Sequence, residues 1–372
     1  MAEFICAQIE ASGGSIGFAE FMQHALYAPG LGYYAAGSTK FGEAGDFITA
    51  PEVSSVFGGV LARQCAEVLE QTDGGEILEY GAGSGKLAAD VLTALRRLDA
   101  LPSAYNILEV SADLRQRQEV RLRECVPDLV ELVNWLDSPP VASRGVILAN
   151  EVLDALPVER FVRRDTGVMQ QCVAHGQAGF EFVENAASSR LAGAVQAIED
   201  EVGAEFPDGF VSEVCLAAPD WIAGLSSALD TGVVLLFDYG VSRREYYAAE
   251  RSDGWLRCHF RHHAHNDPLV LPGIQDLTTW VDFTAVAEAA VAAGFDIAGY
   301  SAQAQFLLAG GLDAEMQGFA ELSLEAQIEL SRQVKTLTLP GEMGEHFKCM
   351  ALQKGAIATP SGFSLADRTH ML

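Results

Sequence analysis

Three glycines at alternate positions, Gly81, Gly83 and Gly85, separate a short apolar run from a segment with helical periodicity. Glycine lets a backbone turn sharply and approach a ligand closely, and the helix start beyond it offers unpaired N–H groups. Several kinds of ligand use such a turn, and spacing separates them. A dinucleotide fingerprint needs G-x-G-x-x-G, whereas here the third glycine arrives one residue early. A phosphate loop needs G-x-x-x-x-G-K-[ST]. Gly85 and Lys86 fit that pattern, but Tyr80 stands where the first glycine belongs and Leu87 where a hydroxyl should be. Both fail.

What remains is an acidic residue followed by x-G-x-G-x-G, starting at Glu79. A carboxylate at a strand end would repel a pyrophosphate but attract a cationic nucleoside, and S-adenosylmethionine carries a sulfonium and an ammonium. Glu109, ending the next apolar run, is placed to take both ribose hydroxyls. The arrangement matches motif I of class I methyltransferases. Asn134 and Trp135 follow a third run, where an adenine would lie over the sheet edge; Trp135 either stacks on the base or belongs to the core. Asp46 closes over the cofactor in this reading, with Phe47 shielding it.

A second group of polar residues follows the fourth apolar run as Asn150-Glu151-x-x-Asp154. Methyl transfer is an in-line displacement at an activated carbon, so the enzyme mainly aligns the nucleophile and excludes water. Glu151 and Asp154 are the candidate substrate-orienting carboxylates, with Asn150 beside the methyl donor. The competing reading is a helix start decorated with favourable acids. Tyr33, Tyr34, Asp238 and Tyr239 are candidate substrate contacts near the same edge, and Asp276 is read as structural. Cys258, His259, His262, His263 and His265 invite a metal, but no second cysteine or H-E-x-x-H accompanies them. His262 is read as a loop or substrate contact, and no metal is expected.

These residues must be held by alternating elements. Runs at Glu76–Gly81, Tyr105–Val110, Leu129–Val133, Gly145–Asn150 and Gly232–Gly240 read as buried strands, with helices between them. That alternation predicts an α/β fold with a mostly parallel sheet and right-handed crossovers. A helix over Asp282–Ala293, a strand in "GFDIAGY" and a late strand His346–Gln353 complete the core. The expected division is an N-terminal extension over 1–72, a core over 73–160 and 213–355, an inserted α+β segment over 161–212, and a flexible tail over 356–372.

Composition narrows the partners. With 51 acidic against 24 basic residues the chain carries a formal charge of −27, which repels phosphate backbones and favours cationic partners. Nucleic acid is excluded. The seven cysteines are scattered singly, which fits reduced thiols in the cytoplasm. No targeting segment and no membrane insertion are expected.

Several blocks resemble the MidA-type methyltransferases. They are "GFAEFMQHALYAPGLGYY", "GDFITAPEVSSVFG", "ANEVLDALPVERF", "FDYG", "HAHNDPLVLPGIQDLTTWVDFTAV" and "MGEHFKCMAL". Trp255 and Tyr80 depart from that pattern. The resemblance implies a seven-stranded Rossmann-like class I methyltransferase fold using S-adenosylmethionine. It also implies methylation of a protein arginine, since the mitochondrial members are complex I assembly factors linked to an arginine of a complex I-type subunit. A homodimer is allowed. The alternatives are a non-catalytic assembly factor that retains the fold, and a nicotinamide-dependent dehydrogenase, against which the glycine spacing speaks.

Overall fold

The computed structural model describes residues 1–35, 48–261 and 263–372. Its centre is a mostly parallel sheet whose strands alternate apolar residues toward two buried faces. The strands are β1 (Glu76–Tyr80), β2 (Tyr105–Leu108), β3 (Val133–Leu136), β4 (Ser143–Asn150), β5 (Leu229–Val241), β6 (Asp296–Ala302) and β7 (Phe347–Lys354). Their spatial order is β6-β7-β5-β4-β1-β2-β3. β7 runs antiparallel to both neighbours, and the pairs from β5 to β3 are parallel. The order reverses between β1 and β4, which opens a crevice at the carboxyl edge.

Side-chain alternation explains the two layers. Val233, Leu235 and Phe237 pack on one face with helices α1 (Ser55–Gln71) and α2 (Lys86–Arg97). Val234 and Leu236 pack on the other with α5 (Ala218–Ala228) and α6 (Phe283–Ala292). Helix α3 (Ala112–Cys125) follows β2 and is capped by Ser111, whose Oγ accepts from Leu114 N.

The insertion is larger than its sequence suggested. Antiparallel strands Glu159–Arg164, Gly167–Gly176 and Gly179–Ala186 pair in sequence order, and α4 (Ser189–Val202) follows. The sheet also takes in Val211–Val214 and the N-terminal strand Ser15–Gly17. The N-terminal extension is tied to it by the helix Phe18–Tyr27. That helix buries Phe18, Phe21, Met22, Ala25 and Leu26, the stripe of an amphipathic helix.

Two expectations need correction. The run Leu129–Val133 is mostly a 3-10 turn, Pro127–Leu132, and the strand begins at Val133. The tail from Ala356 is packed: Phe363 is buried against Phe306 at 5.1 Å, and Gly362 N donates to Gln64 Oε1 at 2.7 Å. An aromatic anchor outweighs the polar residues around it. Among the described residues, no helix is long and apolar enough to cross a membrane.

Candidate functional site

The crevice at the strand ends has a volume of about 530 Å³. Its floor is the glycine turn. Gly81, Gly83 and Gly85 have φ of 63°, 53° and 80°, the left-handed region that favours glycine. A β-carbon on Gly85 would also come within 3.1 Å of Gln118 Cα, because α3 packs over the turn. Helix α2 starts at Lys86 and leaves its first N–H groups near the turn.

Two buried acids flank the turn. Glu79 accepts from the Tyr105 hydroxyl at 2.7 Å. Burial pushes its carboxyl up to about 7, opposed by that hydrogen bond and assisted by the charge of Glu109. Glu109 accepts from Ser111 N at 2.9 Å and from Gln118 Nε2 at 3.2 Å. Burial raises its pKa too, with both hydrogen bonds opposing.

The opposite wall is a cluster of carboxylates. Glu151 follows β4 with φ of 53°, unusual for a residue other than glycine, and its N–H is held by Phe237 O at 2.8 Å. Asn150 Nδ2 donates to Glu151 Oε1 at 3.1 Å. Asp238 Oδ2 accepts from the backbone N–H groups of Leu153 and Asp154 at 3.0 and 3.1 Å. The Tyr239 hydroxyl donates to Asp154 Oδ2 at 2.5 Å. Tyr34 donates to Asp276 at 3.1 Å, and Tyr27, stacked on Tyr34, donates to Ala155 O at 2.8 Å.

Crowding acids out of water disfavours their charged forms. Burial, then the charge of Asp154, pushes Glu151 up to about 8. Burial pushes Asp154 up to about 6 against the Tyr239 hydrogen bond. Asp238 is raised well above the carboxylate range by burial, then by Asp154 and Glu151. Among the described residues, two acceptors, Asp154 Oδ1 and Asn150 Oδ1, are buried without a hydrogen-bond partner. Both residues line the crevice, so this wall suits a cation rich in N–H donors.

The structure brings together Glu79, Gly81, Gly83, Glu109, Tyr34, Asn150, Glu151 and Asp154 along this crevice. Asp238 and Tyr239 stand behind it, bonded to the Asp154 segment. Tyr33 is buried in the N-terminal cluster, edge-on to Tyr34. Asn134 and Trp135 do not line the crevice. With β3 starting at Val133 they fall inside the strand, opposite Asn106 and Ile107. There Asn134 donates to Asn106 Oδ1 at 3.1 Å and Trp135 Nε1 to Gln118 Oε1 at 2.9 Å. Asp46, Phe47 and His262 lie outside the described residues. His259 and His263 sit on adjacent antiparallel strands, and no group of three or more metal-binding side chains occurs among the described residues.

Sequence reasoning missed Tyr27 and Gln118. Tyr27 gave no signal beyond its place in an apolar helix. Gln118 did: it sits between Leu114 and Leu122 on the buried stripe of α3, and a polar residue in such a stripe must find partners.

Known proteins share this fold. A family model for S-adenosyl-L-methionine-dependent methyltransferases matches residues 60–301. The protein arginine methyltransferase NDUFAF7 of zebrafish (Danio rerio) mitochondria is 28% identical, over 94% of this chain and 89% of its own length. The human mitochondrial protein of that name is also 28% identical, over 92% of this chain and 80% of its own. The crystal structure of a COG1565 superfamily member from Burkholderia thailandensis, bound to S-adenosyl-homocysteine, superposes with a TM-score of 0.93. It is 38% identical and covers 100% of this chain and 96% of that one.

Proposed function

The chain belongs to this family of S-adenosyl-L-methionine-dependent methyltransferases, and on that premise we propose that it methylates an arginine side chain of a protein. The observation that carries the reading is the pair of orphaned acceptors, Asp154 Oδ1 and Asn150 Oδ1, in a wall of buried carboxylates. A guanidinium is planar, permanently charged and carries five N–H donors. It would satisfy both acceptors at once and relieve the repulsion among Glu151, Asp154 and Asp238. The relatives named as arginine methyltransferases support the same acceptor.

In this reading Glu79 faces the ammonium of the cofactor and Glu109 its ribose hydroxyls, while the glycine turn lets the backbone approach. Glu151 and Asp154 hold the guanidinium by charge-assisted hydrogen bonds that draw positive charge away from the attacking nitrogen. When bound, S-adenosylmethionine would supply a methyl carbon activated by its sulfonium, so that a nitrogen–carbon bond would form as the carbon–sulfur bond broke to give a neutral thioether. The attacking nitrogen gives up one proton, for which a buried carboxylate with a raised pKa is a suitable acceptor. Tyr27 and Tyr34 close the side of the crevice and exclude water.

The acceptor protein in this proposal is a respiratory complex I-type subunit, and the acidic surface favours a basic segment on it. The seven free cysteines support a reducing compartment, the cytoplasm in this reading. The test is to supply the purified protein with S-adenosylmethionine bearing a labelled methyl group and an extract from cells lacking the gene. Mass spectrometry should place the label on an arginine that is methylated in wild-type cells. Label on another residue type, or none with an intact cofactor site, would reject the arginine reading.

A further inference from the structure

We infer that Gln118 is a positioning residue for the cofactor, its carboxamide joining the glycine turn to the ribose-facing acid, with Trp135 holding that carboxamide in place. The side chain is fully buried at 0% exposure. Nε2 donates to Gly83 O at 3.0 Å and to Glu109 Oε2 at 3.2 Å, and Oε1 accepts from Trp135 Nε1 at 2.9 Å. Three strands therefore meet on one amide: the turn after β1, the acid after β2, and β3.

The chemistry of the partners fixes which way the amide points. An indole N–H can only donate, so the carboxamide oxygen must face Trp135. That leaves the NH2 group facing a carbonyl and a carboxylate, both of which can only accept. No other orientation satisfies all three. The two oxygens of Glu109 are then both committed to α3, one to Ser111 N and the other to Gln118. Helix α3 thus sets the angle at which Glu109 meets the ribose. The same helix lies close to the turn, so a β-carbon at position 85 would crowd Gln118 at 3.1 Å as well as strain a backbone with φ of 80°.

A leucine at 118 would preserve the packing volume but remove this partner from the Gly83 carbonyl, the Glu109 carboxylate and the Trp135 indole N–H. A glutamate would still accept from Trp135 but, when ionised, could donate to neither Gly83 nor Glu109 and would repel the latter. Protonation restores one donor. This role in cofactor binding does not depend on the identity of the methyl acceptor.

Titration calorimetry of the full chain with S-adenosylmethionine and with S-adenosylhomocysteine tests it. Gln118→Leu should weaken both by about tenfold, and Trp135→Phe by about threefold. The double variant should be no weaker than Gln118→Leu alone, since the indole acts through the amide. For Gln118→Glu, the deficit relative to wild type at the same pH should shrink as pH falls from 8 to 6. A generic packing defect would give a deficit independent of pH. Wild-type affinity in Gln118→Leu would overturn the inference. So would multiplicative losses in the double variant, or a pH-independent deficit in Gln118→Glu; Trp135→Phe keeps the question answerable if position 118 tolerates no change.

Discussion

The hydroxyl of Tyr239 donates to one oxygen of Asp154 across 2.5 Å, and the other oxygen of that carboxylate is buried with no hydrogen-bond partner among the described residues. The tyrosine thus fixes the carboxylate's rotation and aims its free oxygen. Tyr239→Phe should lower kcat about tenfold, as loss of a hydrogen bond to a charged group costs about 1.5–3 kcal/mol. The acid limb of the rate profile should move to higher pH, because that bond holds the carboxyl down. A rate and profile equal to wild type would show that Asp154 needs no such support.

Asp154→Asn preserves shape but removes the negative charge offered to a guanidinium. Methyl transfer should fall by roughly 100-fold, the scale seen when one electrostatic stabiliser is removed. Calorimetry should find cofactor affinity unchanged within about twofold. A large loss of cofactor binding would assign Asp154 to the donor side of the crevice.

With Glu79 beside the cofactor's ammonium, as proposed, its raised pKa should make cofactor binding pH-dependent. In the free protein its carboxyl titrates near 7, and the cofactor's ammonium favours the ionised form. Binding therefore releases up to one proton below pH 7, and affinity should rise as pH rises through 7 and then level off. Calorimetry in buffers of different ionisation enthalpy reads the proton directly. Glu79→Gln should bind weakly and lose the pH dependence.

Folding stability should follow the opposite trend. Glu79, Glu151 and Asp154 all have folded pKa values above their unfolded ones. Their contribution is fully present below the unfolded values near 4 and is lost as pH rises through about 6 to 8. The ligand-free Tm contribution of these groups should therefore fall between pH 5 and 8, and Glu151→Gln should flatten that fall. An equally steep fall in the variant would exclude Glu151 as a source.

Phe363 anchors the C-terminal segment against Phe306 and over Gly299, where a β-carbon would come within 2.4 Å of its ring. Phe363→Ala should destabilise the fold by about 3 kcal/mol, read as a lower urea midpoint. An unchanged midpoint would mean that the tail contributes nothing to the core.

The residues read from the sequence for the cofactor side, Glu79, Gly81, Gly83 and Glu109, line one crevice. They lie at the ends of strands whose periodicity is plain, and local spacing places the residues just beyond a strand's last apolar position. Trp135 and Asn134 were misplaced because a six-residue 3-10 turn moved the start of β3 to Val133, and one such shift carries residues from the strand's end into its body. Gln118 was overlooked because its partners are 9, 17 and 35 residues away along the chain.

Sequence alone determined the parallel alternation, the glycine turn and the acids beside it, since each depends on neighbours within a few residues. Tertiary structure alone decided that Asp238 and Tyr239, more than 80 positions from Asp154, hold its carboxylate and backbone. It also decided that Tyr27 and Tyr34 reach the same wall from the N-terminal extension. Those contacts depend on which sheet edges and layers meet. Local propensity does not encode that; the shared burial of apolar faces does.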